Sequence, residues 1–185
     1  MKKTFLPLLA MLIIASCSNS TNSNMPASNI ILNNFTFDSS GHPSLGGWIY
    51  GRSDVDSAAH YTSDVPPGSI AKWSVSLSPG WIPFSEFIHR EFTGLSGGIY
   101  QLTFWEKVTQ PNGRGSVLIS SNAYQPWHPT ASIAVSDTTW THLTLLDTLA
   151  ALTPGDTISL VLTGGSTEVA NWHVLYNNIT FQKLP

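Results

Sequence analysis

The chain has one cysteine among its 185 residues, Cys17. No disulfide can form within it, so its fold must rest on burial and hydrogen bonding. Charge is scarce: Asp, Glu, Lys and Arg make up 10% of the residues, against roughly 25% in ordinary soluble domains. No basic cluster is present, which argues against nucleic acid as a partner. There is no long amphipathic helical period, no internal repeat and no glycine-rich phosphate loop. The 6 histidines (His42, His60, His89, His128, His142 and His173) show no paired spacing on one element, so a zinc site is unsupported. Gly94-Leu95-Ser96-Gly97-Gly98 matches G-x-S-x-G in form. That motif needs a helix after its serine, and a strand follows here, so the segment reads as a turn. Glu86, Glu91 and Glu106 fall on adjacent predicted strands, where two could be paired as in glycoside hydrolysis. Nothing in their context marks them, and they read as solvated strand-surface groups. The expectation is a protein that is not an enzyme.

What is present begins at the N-terminus. Lys2 and Lys3 are followed by the apolar run Phe5–Ile14 and the small residues Ala15 and Ser16, the layout of a secretory signal. The run is too short for the roughly 30 Å hydrocarbon core, which needs about 20 apolar residues. Ile14-Ala15-Ser16-Cys17 resembles the lipobox of bacterial lipoproteins. That resemblance implies cleavage before Cys17, lipidation of its thiol and a membrane partner through the lipid anchor. The implied location is the bacterial cell envelope; Ser18, which is not acidic, is compatible with the outer membrane. The alternatives are an ordinary cleaved signal with a stray cysteine, or a buried free thiol. Ser18–Ser28, SNSTNSNMPAS, is polar and uncharged, as a flexible tether would be. The expected organisation is a lipoprotein signal peptide over 1–16, the lipidated Cys17 and a Ser/Asn-rich linker over 17–29, and one domain over 30–185, monomeric.

That domain is rich in aromatics, with 7 Trp, 5 Tyr and 8 Phe in the whole chain. Short alternating runs broken by Gly, Pro, Asn and Asp predict an all-β antiparallel fold. Strands are expected at 30–37, 47–50, 70–77, 84–92, 99–108, 116–120, 131–135, 139–146, 157–162 and 172–182. The stretch 146–152 is the one candidate for a helical turn. Period two puts Tyr100, Leu102 and Phe104 on one face, read as core, and Gln101, Thr103, Trp105 and Lys107 on the other. A tryptophan on that polar face is unusual for plain solvent exposure. The same period groups Trp73, Val75 and Leu77, which predicts a buried Trp73, and groups Ile158, Leu160 and Leu162.

Several segments, in order, resemble the galactose-binding-like jelly roll of carbohydrate-binding modules attached to cellulases and xylanases. They are Asn34-Phe35-Thr36-Phe37-Asp38, Pro43–Trp48, Phe92–Trp105, Thr139–Leu143 and Val174–Phe181. The resemblance covers nearly all of 30–185 and implies an antiparallel jelly-roll β-sandwich with a glycan as partner. It implies core roles for Trp48 and Trp140. It places Arg90 where these modules often carry a polar residue reaching the binding face, the alternative being a surface arginine. Such modules often hold a structural calcium between the opening and closing acidic positions. Here these are Asp38 and the neutral Asn177, at best a weak calcium candidate, and no cofactor is expected.

Sugar binding needs flat apolar surfaces for pyranose faces and amide or hydroxyl groups for the ring hydroxyls. Two groups qualify: the face carrying Gln101 and Trp105, and the loop Asn122–Pro129 with Tyr124, Trp127 and His128. Either the loop contacts a ligand, or Tyr124 and Trp127 fold back over the end of the sandwich. Trp81, after Pro79-Gly80, reads as end-capping. Two functions stay open: a lipid-anchored module that binds glycan at the envelope, and a structural, adhesion or protein-interaction lipoprotein using the same fold with an envelope protein as partner.

Overall fold

The computed structural model describes residues 29–50, 59–81, 86–121, 129–150, 152–153, 155–167 and 172–185. The expected signal peptide, Cys17 and linker (residues 1–28), and Tyr124, Trp127 and His128 lie outside these residues. In chain order the strands are β1 (Asn29–Asn33), β2 (Thr36–Phe37), β3 (Pro43–Ser44), β4 (Ile49–Tyr50), β5 (Ala59–Thr62), β6 (Ser74–Leu77), β7 (Gly80–Trp81), β8 (Glu86–Thr93), β9 (Gly98–Val108), β10 (Gly115–Ser121), β11 (Pro129–Val135), β12 (Thr141–Leu149), β13 (Thr157–Thr167) and β14 (Val174–Lys183).

Two sheets carry the domain. The first runs β12-β9-β14-β6-β5, with β1 also on β14; the second runs β11-β10-β13-β8-β4, with β7 also on β13. Strict alternation in β9 makes every second side chain buried, so the sheet has one core face and one outer face. Tyr100, Leu102 and Phe104 meet Tyr176, Ile179 and Phe181 of β14, and across the sandwich Ile158, Leu160 and Leu162 of β13 close the core, all with no exposed surface. Phe181 is central, with its ring 5.4 Å from Tyr100 and 5.5 Å from Phe92. Each such side chain contributes roughly 1.5–3 kcal/mol by leaving water. The neighbouring edges of the two sheets are tied by the Thr130 hydroxyl, which donates to the Asp147 carboxylate.

The strand that organises the first sheet is β14. Its first part pairs with β6, Val174 to Tyr176 against Leu77 to Val75. Its last part pairs with β1, Thr180 to Lys183 against Asn33 to Asn29. Its register against β9 shifts between Asn177 and Thr180, so a bulge falls where it changes partner.

Several expectations are corrected. The 30–37 strand breaks at Asn34, whose φ of 63° no extended strand can hold. The 70–77 strand starts only at Ser74; Trp73 precedes it, half-buried, with its ring 4.5 Å from His42. The 146–152 stretch is not helical through Leu149, because Leu145, Asp147 and Leu149 alternate inward as part of β12. The strand β5, AHYT, was not expected; it is short and half polar. Trp48 is core, against Phe35 at 5.3 Å, but Trp140 is half-buried at the rim with its Nε1 on Asp64. Glu106 is no surface group: it continues the inward face of Tyr100, Leu102 and Phe104 and has no exposed surface. Glu86 and Glu91 sit on β8 in the second sheet, so the three glutamates are not on adjacent strands.

Candidate functional site

The outer face of the first sheet follows from register. On β9 it carries Gln101, Thr103, Trp105 and Lys107, as period two predicts. Pairing brings His142 opposite Trp105, Thr144 opposite Thr103 and Leu146 opposite Gln101 from β12. From the other side β14 sets Asn177 opposite Trp105, Thr180 opposite Thr103 and Gln182 opposite Gln101, and β1 adds Asn33 beside Thr180 and Ile30 beside Gln182. Three rows result. The first is His142, Trp105 and Asn177; the second is Thr144, Thr103, Thr180 and Asn33; the third is Leu146, Gln101, Gln182 and Ile30. At about 4.8 Å between strands and about 6.8 Å between same-face residues, the rows span roughly 14 Å in each direction.

The chemistry of these rows is uniform. Hydroxyls and amides fill the centre, and none of the outward residues named is a carboxylate. Gln182 Nε2 donates to Gln101 Oε1 at 2.6 Å, which fixes both amides as a pair. Exposed aliphatics border them, Ile30 at 57% and Leu146 at 55%. Trp105 is half-buried, with its ring 5.3 Å from that of His142.

One end of the face is walled. Asp64, in the segment after β5, accepts Lys107 Nζ at 2.6 Å and Trp140 Nε1 at 2.8 Å, while the Ser74 hydroxyl donates to its backbone carbonyl at 2.7 Å. Burial by itself would raise the Asp64 pKa, but the bonds from Lys107 and Trp140 outweigh it and hold the carboxyl below its usual value. Under this wall Ser74 and Asn177 are buried, and the Asn177 amide donates to Trp73 O at 3.0 Å and Ser74 Oγ at 2.8 Å. Lys107 is therefore part of the wall rather than an open cation.

The other residues singled out by sequence fall elsewhere. Arg90 lies on β8, on the inner side of the second sheet opposite Leu160. Its guanidinium sits over Phe92 at 5.7 Å and packs beneath the turn at Gly47, where φ is +83° and a side chain would come 3.4 Å from the guanidinium carbon. It is neither a surface arginine nor a neighbour of Trp105. Asp38 Oδ1 accepts the backbone N–H groups of Ser40 at 2.8 Å and His42 at 3.0 Å, closing the β2–β3 turn. Those donors, the His42 bond foremost, lower its pKa. Calcium takes six to eight oxygens, carboxylates above all. One committed carboxylate and one buried amide do not fit it, and among the described residues no three His, Cys, Asp or Glu gather for a metal. Sequence reasoning missed His142, Thr144, Thr180 and Gln182. Their period-two parity was readable, but which strands flank β9 was not.

Neither a protein-family model nor a curated protein matches the sequence. Solved structures do. The CBM22-1 xylan-binding domain of Paenibacillus barcinonensis Xyn10C aligns over 85% of this chain and 96% of its own, with 13% identity and a TM-score of 0.58. A family 16 carbohydrate-binding module aligns over 74% and 91%, with 17% identity and a TM-score of 0.52. TmCBM61, solved with β-1,4-galactotriose, aligns over 76% and 90%, with 16% identity and a TM-score of 0.51. The fold is an antiparallel jelly-roll β-sandwich, like that of these modules. At these identities the likeness concerns the fold alone. In this jelly roll the Trp105 face is the outer surface of one sheet, open along β12, β9 and the end of β14.

Proposed function

We propose that this chain is a non-catalytic glycan-binding module that a lipid on Cys17 holds at the bacterial cell envelope, in the outer membrane. One observation carries the binding half. Three neighbouring strands present Trp105, three threonines and two paired glutamines on one open face, a surface suited to hydroxylated rings. Trp105 and Gln101 are the central contacts. Tyr124, Trp127 and His128, which lie outside the described residues, stay candidate contacts on their residue types alone. The non-catalytic half is supported by the carboxylates: those of β8 and β9 lie in opposite sheets, and Glu106 is sealed in the core. The anchor rests on the lipobox-like run ending at Cys17.

A second reading has its own support. The aliphatic border of Ile30, Leu146 and Ile99 suits an envelope protein as partner, which would make the chain an adhesion or scaffold lipoprotein.

The test is affinity electrophoresis and calorimetry of the full-length protein with xylan, β-1,4-galactan and mixed β-glucans. Binding to at least one, lost in Trp105→Ala, is the expected result. No binding to any, with a defined envelope protein captured instead, favours the second reading. Cys17→Ser is expected to move the protein from the membrane fraction to the soluble one and to abolish lipid labelling.

A further inference from the structure

The Thr144–Thr103–Thr180–Asn33 row does not run out onto open surface. It enters a cleft of about 690 Å³ at the point where β14 exchanges β6 for β1. That volume lies within the roughly 300–1,000 Å³ of small-ligand sites. Asn33, Asn178 and Thr180 line its floor. The β2–β3 turn, Asp38 to Gly41, forms one wall and Ile70 to Lys72 the other.

The lining has an apolar part and a polar part. Phe37 is 42% exposed and Ile70 99% exposed, although both are large apolar side chains. Lys72 is exposed and, among the described residues, makes no ion pair. Asp38 keeps its second oxygen, Oδ2, nearly free, with only His42 Nδ1 at 3.7 Å. A cation and an anion face the same space, so its net charge is close to balanced and favours a neutral ligand over an acidic one. The two walls continue into a group of rings, in which His42 stacks on Tyr61 at 5.5 Å and meets Trp73 at 4.5 Å. Of these rings Tyr61 is exposed, as Phe37 is on the lining, while His42 and Trp73 are half-buried behind it; exposed rings beside a polar cleft are what sugar faces pack on.

The topology sets a direction. Among the described residues no strand of the first sheet lies beyond Asn33, and β1 is its edge there. A glycan lying across the strands along the threonine row therefore meets the wall at this point.

We propose that the cleft is a chain-end subsite that takes one terminal neutral pyranose, with the following units laid along Thr180, Thr103 and Thr144. This rests on the glycan-binding reading and deepens it: the module grips ends rather than the middle of a chain.

The test uses the full-length protein and xylo- and β-1,4-galacto-oligosaccharides, either free or carrying a bulky fluorophore at one end or the other. The expected result is that capping one particular end lowers affinity at least tenfold while capping the other does not. Phe37→Ala/Lys72→Ala, with an unchanged melting temperature, lowers affinity for the free sugars by a similar factor. Lys72→Ala alone, at an exposed site that folding does not depend on, gives a smaller loss in the same direction. Indifference to caps at both ends and to the cleft variants, with Trp105→Ala still abolishing binding, overturns the chain-end subsite and leaves the glycan reading standing. Failure of the parent protein to bind any of these sugars or the polysaccharides above overturns both.

Discussion

Asn34 and Asn178 are 144 residues apart and hold the same improbable backbone conformation, with φ of 63° and 49°. The Asn34 amide donates to Asn178 Oδ1 at 3.2 Å, and Asn34 Oδ1 accepts the N–H groups of Phe35 at 2.8 Å and Ile179 at 3.3 Å. Left-handed asparagine is tolerated because its short polar side chain can bond locally. Here the bonds also cross from the end of β1 to the bulge of β14, so the pair fastens the partner change that creates the cleft.

Asn34→Ala loses these bonds and keeps the strain, and is expected to cost about 2 kcal/mol. Asn34→Gly loses the bonds but relieves the strain, and should cost about 1 kcal/mol less. Urea unfolding midpoints of the two variants check the order; equal losses would remove strain from the account.

Glu106 predicts a pH dependence of unusual sign. Burial, and then the negative charge of Asp137, push its pKa up to about 7 against the smaller opposing pull of the Asp137 backbone N–H. The folded state therefore binds a proton more tightly than the unfolded chain. Its stability contribution is complete below the unfolded value near 4.5 and is lost as pH rises through about 7. Glu106→Gln is expected to match the parent at pH 4 and to exceed it at pH 8, by up to about 3 kcal/mol at 1.36 kcal/mol per pKa unit. Parallel stability curves across that range would sink the prediction.

Asp64 gives the opposite slope. Its depressed pKa means stability that is present above the unfolded value and lost as pH falls through the folded one. Asp64→Asn should be less stable than the parent at pH 7, and the gap should close near pH 2, since the protonated acid then resembles the amide. Thermal melts at both pH values decide it.

Arg90 and Trp105 separate packing from recognition. Arg90→Met removes a cation over Phe92 and is expected to cost about 1 kcal/mol of stability with glycan affinity unchanged. Trp105→Ala is expected to lose at least tenfold in affinity and to melt within a few degrees of the parent. Titration of both variants with the same polysaccharide tells them apart, and a binding loss in Arg90→Met would contradict the geometry.

The face was legible in sequence where one strand kept strict alternation. Gln101, Thr103 and Trp105 could be grouped because β9 repeats its period over 11 residues. The same rule placed Glu106 inward, but a charged residue reads as surface by habit of composition, and the buried case carries no sequence mark. Trp73 was misplaced because the apolar alternation of Val75 and Leu77 extends back to it, while the chain itself turns at Ser69 to Ala71 through the Ser69 hydroxyl. The cleft was invisible for a different reason. It depends on β14 having one neighbour at its start and another at its end, a pairing between segments more than 140 residues apart.

That pairing also has a mechanical side. The segment before Asn29 enters the domain through β1, five residues held antiparallel to the last strand of the chain. A pull along the strand axis strains the hydrogen bonds between Asn29–Asn33 and Thr180–Lys183 together, in shear, instead of opening them one at a time. Tension from the N-terminal side thus reaches the sheet through β14, its central strand, with the Asn34–Asn178 clasp at the far end of β1.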